Sequence, residues 1–458
     1  MTARRNTAVI DIGKTNAKIV LVDNHRWQEL AVIKRQNATL SGPPYPHFDL
    51  SALWRFILDG LEEMQQSHGI DAIVVTTHGA SAVLIDKSGD LAVPMLDYEH
   101  SGPDALAADY DAVRPPFSET GSPRLPLGLN VGAQLYWLFR TVDGLFEHTD
   151  RILTYPQYWA FRLTGIAATE PTSLGCHTDL WCPQKGGFSS LVETQGWLTK
   201  MAPVHSAGET LGPLLPEICR ATGIAADVPV ICGIHDSNAS LVPHLHARKP
   251  PFSVVSSGTW VIVMSVGGRQ VQLAPDRDTL INVNAFGEPV PSARFMGGRE
   301  HELVLGGRAA SCTDDDLQHV LDNGIMLLPA VENRSGPFQG RKSAWIGDED
   351  DLTDGWRFAA LSFYLAGMTA VCLEMVGARG ETVVEGPFSK NRAYCTMLAA
   401  ATRRDVVAVS GTGTSVGAAM LRDPGSQAGT GGIARYDPGD SSLNHYADKW
   451  LQETLHRV

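Results

Sequence analysis

Apolar residues near the start of the chain form two β-rich runs around a short polar turn. The runs 7–12 and 17–23 flank Gly13, and this arrangement predicts a β-hairpin. Residues 50–66 place apolar side chains at helical spacing, which predicts an amphipathic helix. The continuous apolar run 72–77 that follows is typical of a buried strand.

A second strand–turn–strand pattern occupies residues 254–264, about half a chain length after the first. A third small-residue turn, 410–415, follows the strand-like run 406–409 and leads into a helix-like run at 416–421. Elsewhere strand and helix patterns alternate, which favours an α/β architecture.

The two matching hairpins predict two related α/β domains. The boundary is expected near residues 243–252, where Lys249, Pro250 and Pro251 form a hinge-like segment. We therefore expect an N-terminal domain at residues 1–245 and a C-terminal domain at residues 246–458.

Composition and charge narrow the class of protein. The 458 residues are 43% hydrophobic and carry a formal net charge of -13, so large cores are expected and nucleic acid is not an expected partner. No secretory h-region and no long uninterrupted apolar stretch is seen, so no membrane is expected. The seven cysteines lack Cys-x-x-Cys spacing and predict reduced thiols in the cytosol.

The segment Gly13-Lys14-Thr15 resembles part of a P-loop but does not satisfy that motif. The glycine that a P-loop requires upstream is Ala8, and the run 19–22 that follows is a strand rather than a helix. A tight turn after the carboxylate of Asp11 suits phosphate binding, with the aspartate facing magnesium through water. The side chains expected to contact the phosphates are those of Thr15, Asn16 and Lys18. An ordinary hairpin is the alternative.

Residues 413–417 fit the G-x-S-x-G pattern of a hydrolase nucleophile elbow centred on Ser415. Only 41 residues follow Gly417, which leaves little room for the acid, the histidine and the strands of a hydrolase. A glycine-rich turn at a helix N-terminus, suited to phosphate or adenosine, explains the same residues better.

Asp236 follows the predicted strand 229–233 and precedes small residues that open a helix. It could be a helix N-cap, or a general base at the carboxyl edge of a sheet where α/β proteins bind ligands. His78 stands at the end of the strand 72–77, and a lone histidine there is more often structural. His244 and His246 have no partners at metal-ligand spacing.

Seven segments together resemble the FGGY carbohydrate kinases of the actin, hexokinase and Hsp70 superfamily, over nearly the whole chain. They are Asp11-x-Gly13-x-Thr15-x-x-Lys18, Thr77-His78-Gly79, 154–165 with 170–175, 211–236, 256–260, 385–391 and 410–417. The motifs are most similar to those of rhamnulokinase-type members. The resemblance implies two actin-like (ribonuclease H-like) α/β domains with a cleft between them.

The resemblance also implies ATP and Mg²⁺ as cofactors and Asp236 as the catalytic base. It assigns magnesium to Asp11 and Asp236. The residues implied for ATP are Asp11, Gly13, Lys14, Thr15, Asn16, Lys18, Gly258, Thr259, Gly386, Asn391, Gly411, Thr412 and Gly413. The residues implied for the sugar are His78, Gly79, Asp97, Tyr98, Gln157, His235 and Asp236. The sequence departs from the family at Gly386, which Pro387 follows in place of further glycines, and at residues 95–100.

The implied reaction is transfer of a phosphoryl group from ATP to a primary hydroxyl of a ketose. L-Rhamnulose or L-fuculose is the first expectation, and xylulose, ribulose or a polyol is the alternative within the family. From a different class, the chain could be an actin-like ATP-binding module without catalysis. The expected partners are the sugar and ATP, with a homodimer as one candidate assembly.

Overall fold

The computed structural model describes residues 5–308, 311–411, 413–423, 425–426, 432–439 and 441–456. These residues form two compact units. The first unit comprises the described residues of 1–247, 281–289 and 412–429, and the second comprises those of 248–280, 290–411 and 430–458. The chain thus passes from the first unit to the second beside the predicted hinge, and two later segments pack with the first unit.

The β-strands, in chain order, are β1 Asn6–Ile12, β2 Asn16–Asp23, β3 Gln28–Gln36, β4 Thr39–Leu40, β5 His47–Phe48, β6 Ala72–Thr77, β7 Ala82–Ile85, β8 Arg151–Thr154, β9 Trp181–Cys182, β10 Gly187–Phe188, β11 Thr210–Gly212, β12 Val230–Ile231, β13 Ile234–His235, β14 Phe252–Ser257, β15 Val261–Val266, β16 Thr279–Val283, β17 Pro289–Phe295, β18 Met326–Leu328, β19 Ala344–Ile346, β20 Glu381–Glu385, β21 Val406–Val409 and β22 Gly432–Tyr436.

The α-helices, in chain order, are α1 Leu50–His68, α2 Ala107–Asp111, α3 Phe117–Thr120, α4 Val131–Thr141, α5 Leu145–His148, α6 Tyr155–Thr164, α7 Pro171–Leu174, α8 Ser190–Thr194, α9 Pro216–Thr222, α10 Asp236–Ala239, α11 Val242–Ala247, α12 Gly297–Leu305, α13 Asp314–Asn323, α14 Asp354–Met375, α15 Arg392–Thr402, α16 Gly413–Met420 and α17 Ser441–His456.

The main sheet of the first unit has the strand order β11-β12-β6-β1-β2-β3. Strands β1 and β2 form the predicted antiparallel hairpin, and β1 runs parallel to β6. Strands β12 and β13 each pair with β6 in the parallel sense, while β11 is antiparallel to β12. The carboxyl ends of β1, β6 and β13 therefore meet at one edge of the sheet.

The main sheet of the second unit repeats this plan with the order β16-β17-β15-β14-β20-β21-β22. Strands β14 and β15 form the second predicted hairpin, β14 runs parallel to β20, and β20 runs parallel to β21. An antiparallel strand, β22, closes the edge as β11 does in the first unit. The predicted α/β class with two related halves is confirmed.

Helix α1 shows how the apolar pattern places an element against the first sheet. Leu53, Ile57 and Leu61 are at most 1% exposed and belong to the same core as Ile10 of β1. Burying each such side chain contributes roughly 1.5–3 kcal/mol. The helix begins after Asp49, whose side chain accepts a hydrogen bond from the N–H of Ala52 at 2.9 Å.

Helix α14 is the longest helix in the part of the chain that the structure describes. Its length and apolar composition would let it cross a membrane, but 78% of its apolar window is buried inside the protein. Such burial is typical of a core helix, so the helix is weak evidence for a membrane span. All seven cysteines are free thiols, and Cys219 and Cys312 are only partly buried.

Candidate active site

Three of the predicted functional residues stand at the carboxyl ends of neighbouring strands in the first unit. Asp11 of β1 lies beside Thr76 of β6 in the parallel register, His78 directly follows β6, and Asp236 directly follows β13. His235 pairs with Thr77 across β13 and β6. The structure thus brings Asp11, His78 and Asp236 to one edge, where α/β sheets bind ligands.

Asp11 is held by two side chains from different parts of the first unit. It pairs with Lys18 across the hairpin, and the Lys18 Nζ lies 2.9 Å from its Oδ2. Helix α16 packs against β1 and places Ser415, whose hydroxyl donates to the same oxygen at 3.3 Å. Ser415 is only 2% exposed and contacts a carboxylate, whereas a hydrolase nucleophile is exposed on its elbow. This burial argues against the hydrolase interpretation.

Hydrogen bonds hold the turn between β1 and β2 in place, and two of its side chains are exposed. The N–H of Gly13 donates to the Asn16 carbonyl at 2.8 Å, which closes the turn. Asn37 makes two further hydrogen bonds to the turn. Its side-chain amide donates to the Gly13 carbonyl at 3.0 Å, and its backbone N–H donates to the Thr15 carbonyl at 2.8 Å. The side chains of Thr15 and Asn16 are exposed, so their polar groups are accessible to a ligand.

Lys14, which the resemblance assigns to ATP, contacts residues that it assigns to the sugar. Its ammonium forms an ion pair with Asp97 and lies 3.4 Å from the Glu99 carboxylate. It also lies 4.4 Å from the ring centroid of Tyr98 and 5.0 Å from that of Phe48. Sequence spacing gives no sign of this pairing, because Asp97 lies 83 positions further along the chain.

The imidazole of His78 is neutral and has a defined tautomer. Burial lowers the pKa of His78 to about 4, so it carries one proton near neutral pH. Its Nδ1 lies 2.8 Å from the Gly79 carbonyl, which can only accept, so the proton is on Nδ1. Its Nε2 is therefore a hydrogen-bond acceptor, and it is buried without a partner among the described residues.

Three aromatic rings lie next to the imidazole of His78. The ring centroids of Phe48, Tyr98 and Tyr155 lie 5.2, 5.4 and 5.1 Å from that of His78. Burial raises the pKa of Tyr98 to about 12, with further contributions from Glu99, Asp97 and Asp236, so its hydroxyl stays protonated. Histidine and tyrosine together offer one acceptor and one donor beside apolar ring faces.

His235 is a second neutral histidine, and its ring lies beside the carboxylate of Asp236. Burial lowers the pKa of His235 to about 4. The side-chain amide of Asn238 donates to its Nδ1 at 3.0 Å, so the network assigns the proton to Nε2. That Nε2 lies 3.2 Å from Asp236 Oδ1, and the N–H of Ser237 donates to the same oxygen at 2.6 Å. The other oxygen, Oδ2, makes no hydrogen bond to the residues that the structure describes.

Burial raises the pKa of Asp236 to about 6, and the negative charge of Asp11 adds to the rise. His78 and the Ser237 hydrogen bonds oppose it. The residue before α10 is His235, and Asp236 bonds the adjacent N–H rather than the second or third N–H of the helix. The geometry therefore does not support the N-cap alternative for Asp236.

Two glycines create the space around these groups. A side chain at Gly79 would place its Cβ 2.8 Å from the His235 Nε2. Gly233 has φ +92°, and a Cβ there would lie 2.3 Å from the Val75 carbonyl oxygen. The backbone just before Asp236 can therefore lie against β6 only because residue 233 is glycine.

Gln157, which the resemblance assigns to the sugar, holds the backbone ahead of Asp236. It is fully buried, and its amide donates to the carbonyls of Cys232 and Gly233 at 3.0 and 3.1 Å. Its oxygen accepts a hydrogen bond from the hydroxyl of Thr154 at 2.5 Å. Both the nitrogen and the oxygen of the Gln157 side-chain amide are thus hydrogen-bonded within the protein.

A buried carboxylate that the sequence did not indicate also supports this loop. Glu170 caps α7, accepting from the N–H groups of Thr172 and Ser173 at 2.9 and 3.2 Å and from the Thr172 hydroxyl at 2.5 Å. The N–H of His235 donates to that same hydroxyl at 3.0 Å. Burial raises the pKa of Glu170 to about 7. A cap residue followed by proline is a sequence signal for the helix, but not for the contact with His235.

In the second unit, the turn between β14 and β15 is hydrogen-bonded to the end of β20 and packs against the loop that follows. Gly258 and Thr259 are exposed at the turn, and the N–H of Gly258 donates to the Trp260 carbonyl at 2.9 Å. The Ser257 hydroxyl donates to the Glu385 carbonyl at 2.6 Å. Gly386 follows with φ +80°, and a Cβ there would lie 2.0 Å from the Ser257 carbonyl oxygen.

The remaining residues predicted for ATP lie near this edge or at a helix start. Asn391 caps α15, accepting from the Tyr394 N–H at 3.1 Å and donating to the Ser362 hydroxyl at 2.9 Å. Gly411 follows β21 in the second unit, and Gly413 begins α16 in the first. Thr412 lies outside the described residues.

Comparison with known proteins gives matches along both units. The N-terminal domain of the FGGY family of carbohydrate kinases matches residues 7–243, and the C-terminal domain of carbohydrate kinase FGGY matches residues 249–429. A solved structure titled as a carbohydrate kinase from Novosphingobium aromaticivorans is 37% identical, with a TM-score of 0.91 over 99% of this chain and 100% of that one. The xylulose kinase of Lactobacillus acidophilus, 14% identical with a TM-score of 0.79 over 99% and 97%, shares the fold.

Two curated relatives are more distant in sequence. The L-fuculokinase of Salmonella typhi is 26% identical over 271 residues, which cover 57% of this chain and 56% of that enzyme. The rhamnulokinase of Bacteroides thetaiotaomicron is 27% identical over 273 residues, 57% of this chain and 54% of that enzyme. The chain thus spans about half the length of the curated relatives that it matches. Because the N-terminal family domain alone covers more than half of its residues, the chain belongs to the FGGY family of carbohydrate kinases.

Proposed function

We propose that this protein is an ATP-dependent kinase that phosphorylates a primary hydroxyl of a neutral ketose, with Asp236 as the general base. The observation that carries the proposal is the bonding of the Asp236 carboxylate. The N–H and the hydroxyl of Ser237 both donate to Oδ1, at 2.6 and 3.3 Å, while Oδ2 is left for an incoming hydroxyl. Phosphoryl transfer depends mainly on positioning the reactants, and a fixed carboxylate of this kind can orient the hydroxyl and accept its proton.

The sugar is proposed to bind beside His78. Its Nε2 would accept a hydrogen bond from a sugar hydroxyl, and the rings of Phe48, Tyr98 and Tyr155 would contact the carbon skeleton. A hydroxyl is the group that a buried unpaired acceptor needs. Gly79 leaves room for the His235 ring beside Asp236, and Gln157 holds the backbone before Asp236.

The charges near this position favour a neutral substrate. Lys14 is already paired with Asp97 and Glu99, and Asp236 adds a further carboxylate. A sugar acid would meet a surplus of negative charge there, so an uncharged sugar is expected to bind better. L-Fuculose or L-rhamnulose is the first choice, in keeping with the activities for which the two curated relatives are named. Xylulose, ribulose or a polyol is the alternative.

Each unit is proposed to contribute residues that contact ATP. In the first unit they are the open turn from Gly13 to Asn16 with Lys18, and Gly413. In the second unit they are Gly258, Thr259, Gly386, Asn391 and Gly411. The exposure of Thr15, Asn16, Gly258 and Thr259 supports this proposal.

Asp11 and Asp236 fit a magnesium ion held together with phosphate oxygens. The described residues contain no cluster of three or more metal-ligating side chains. Magnesium usually takes one or two carboxylates plus phosphates and waters, and the mutual repulsion of these two carboxylates is what a cation relieves. When bound, the ion would offset charge on the phosphates. A cytosolic location and a homodimer remain predictions from the sequence.

The test is an assay of ADP release with Mg²⁺-ATP and a panel of ketoses, polyols and sugar acids. We expect saturable turnover with L-fuculose or L-rhamnulose and at least ~10²-fold slower turnover for Asp236→Asn, with ATP binding retained. The exposed Asp109→Asn is the matched control and should behave as the wild type. Turnover of Asp236→Asn near the wild-type rate would contradict the assignment. ATP binding without any sugar-dependent ADP release would favour the non-catalytic actin-like module.

A further inference from the structure

A cavity of about 490 Å³ lies within the second unit, among helices α14, α15 and α17. Its volume falls in the range of small-molecule sites, roughly 300–1,000 Å³. Most of its lining is apolar. The apolar lining includes Phe363, Met397, Ala401, Tyr446, Trp450 and Leu451. At its margin Leu451 is 40% exposed, so apolar surface continues outward.

Four charged residues also line this cavity, and three of them are engaged elsewhere. Both carboxylate oxygens of Asp448 accept from Arg403 at 2.9 Å, and Glu374 forms an ion pair with Arg269. Arg277 donates its Nε to the Pro337 carbonyl at 3.0 Å. Both acids are thus paired with arginines that do not line the cavity, and the charge of Glu374 also acts on Arg404.

Arg404 is the fourth charged residue, and it differs from the others. Its Nη1 is buried and has no hydrogen-bond acceptor within the described part of the chain. A guanidinium N–H that is removed from water without an acceptor is unfavourable, and a carboxylate is the partner that satisfies it best. The cavity therefore combines an apolar interior with one buried guanidinium N–H that has no acceptor among the described residues.

We propose that this cavity binds a small apolar carboxylate, such as a medium-length fatty acid, with the chain among the three helices and the carboxylate on Arg404. The nucleotide is a poor occupant, because neither Gly386 nor Asn391 lines the cavity and its lining is mainly apolar. This binding site goes beyond the proposed phosphoryl transfer and does not depend on it.

Calorimetric titration of the full chain with decanoate tests the proposal directly. We expect saturable binding with a negative heat-capacity change, at least tenfold weaker binding to Arg404→Met, and at least tenfold weaker binding of 1-decanol. Arg299→Met is the control, because Arg299 is exposed, pairs with Glu302 at 3.4 Å and lies outside the lining. Absence of saturable decanoate binding, or equal affinity for decanol, would overturn the proposal.

A second variant keeps the test decisive if Arg404→Met does not fold. Ala401→Leu places added volume in the cavity and should abolish decanoate binding while the thermal unfolding temperature stays at or above that of the wild type. A photoreactive fatty acid should label residues of α14, α15 or α17, and labelling confined to other elements would contradict the site. A dimer mass that falls in Arg404→Met would show a second copy as the occupant and would also overturn it.

Discussion

The hydroxyl of Thr172 accepts a hydrogen bond from the backbone N–H of His235 at 3.0 Å and donates its own proton to Glu170 at 2.5 Å. A buried carboxylate is thereby linked through one hydroxyl to the residue that precedes Asp236. Because Thr172 bonds only the backbone N–H of His235, we expect Thr172 to position the loop before Asp236 rather than to contact substrate.

Thr172→Val removes the acceptor while keeping the shape of the side chain. We expect turnover to fall about tenfold, equivalent to ~1.4 kcal/mol in the activation free energy, with KM for the sugar nearly unchanged. Thr172→Ser should restore turnover because it restores the hydroxyl. Thr222→Val, at a buried threonine of the same unit that bonds a helix carbonyl at 2.8 Å, should leave turnover unaffected. Equal losses in Thr172→Val and Thr172→Ser would contradict the role of the hydrogen bond.

His78→Leu removes the unpaired acceptor from the proposed sugar position. Losing one hydrogen bond to a substrate hydroxyl should lower kcat/KM for the sugar by about 10- to 100-fold, mostly through KM, while KM for ATP stays constant. Initial-rate kinetics with each substrate varied would measure this. His25→Leu serves as the control, because His25 is exposed. An increase in KM for ATP alone would place His78 with the nucleotide instead.

Glu300 in the second unit should make stability depend on pH. Burial raises its pKa to about 7, while its Oε1 accepts from Tyr364 at 2.9 Å and from the N–H of Glu332 at 3.0 Å. The folded state keeps this carboxyl protonated where the unfolded state, with the ordinary value of 4.5, has ionised it. Its contribution to stability is therefore full below pH 4.5 and is lost as the pH rises to about 7.

Glu300→Gln should remove that pH dependence, because an amide does not ionise. Relative to the wild type, we expect its free energy of unfolding to rise by about 2–3 kcal/mol between pH 4.5 and pH 8. Denaturant titrations at both pH values would measure it. Glu302→Gln on the same helix is the control, since the Glu302 side chain is 71% exposed. The same pH profile in Glu300→Gln and the wild type would refute the prediction.

Gly233→Ala tests the close approach of the loop to β6. The combination of φ +92° and a Cβ only 2.3 Å from a backbone oxygen should destabilise the protein by about 2–4 kcal/mol and reduce turnover. Gly144 has φ +67° and ψ 3° with open space around it, so Gly144→Ala should cost about 1 kcal/mol, from the backbone alone. Thermal unfolding of the two variants would compare them, and equal losses would exclude a steric cause.

The elements that the sequence predicted well are those that local pattern determines. The first hairpin, the helix from residue 50 and the strand 72–77 occur within two residues of their predicted bounds, because periodicity and turn residues act over short distances. The positions of Asp11, His78 and Asp236 at strand ends follow for the same reason. Their proposed roles remain predictions.

Contacts between distant segments could not be predicted in this way. The pairing of Lys14 with Asp97, the hydrogen bond from His235 to Thr172 and the packing of α16 on β1 each join positions far apart in the chain. No periodicity encodes such contacts, since they arise only when the sheet assembles. The tautomers of His78 and His235 likewise depend on which carbonyl or amide faces each ring nitrogen.

The two donors on Asp236 Oδ1 also determine how the side-chain amide of an asparagine at this position would be oriented. Its amide oxygen must face the N–H and the hydroxyl of Ser237, so the amide nitrogen would occupy the place of Oδ2. That nitrogen is a donor, so it would reverse the direction of the hydrogen bond to the substrate hydroxyl. The hydroxyl would then present a lone pair to residue 236 and turn its own proton elsewhere. Asp236→Asn should therefore hold the sugar in a misoriented complex, which a comparison of sugar affinity with turnover would reveal.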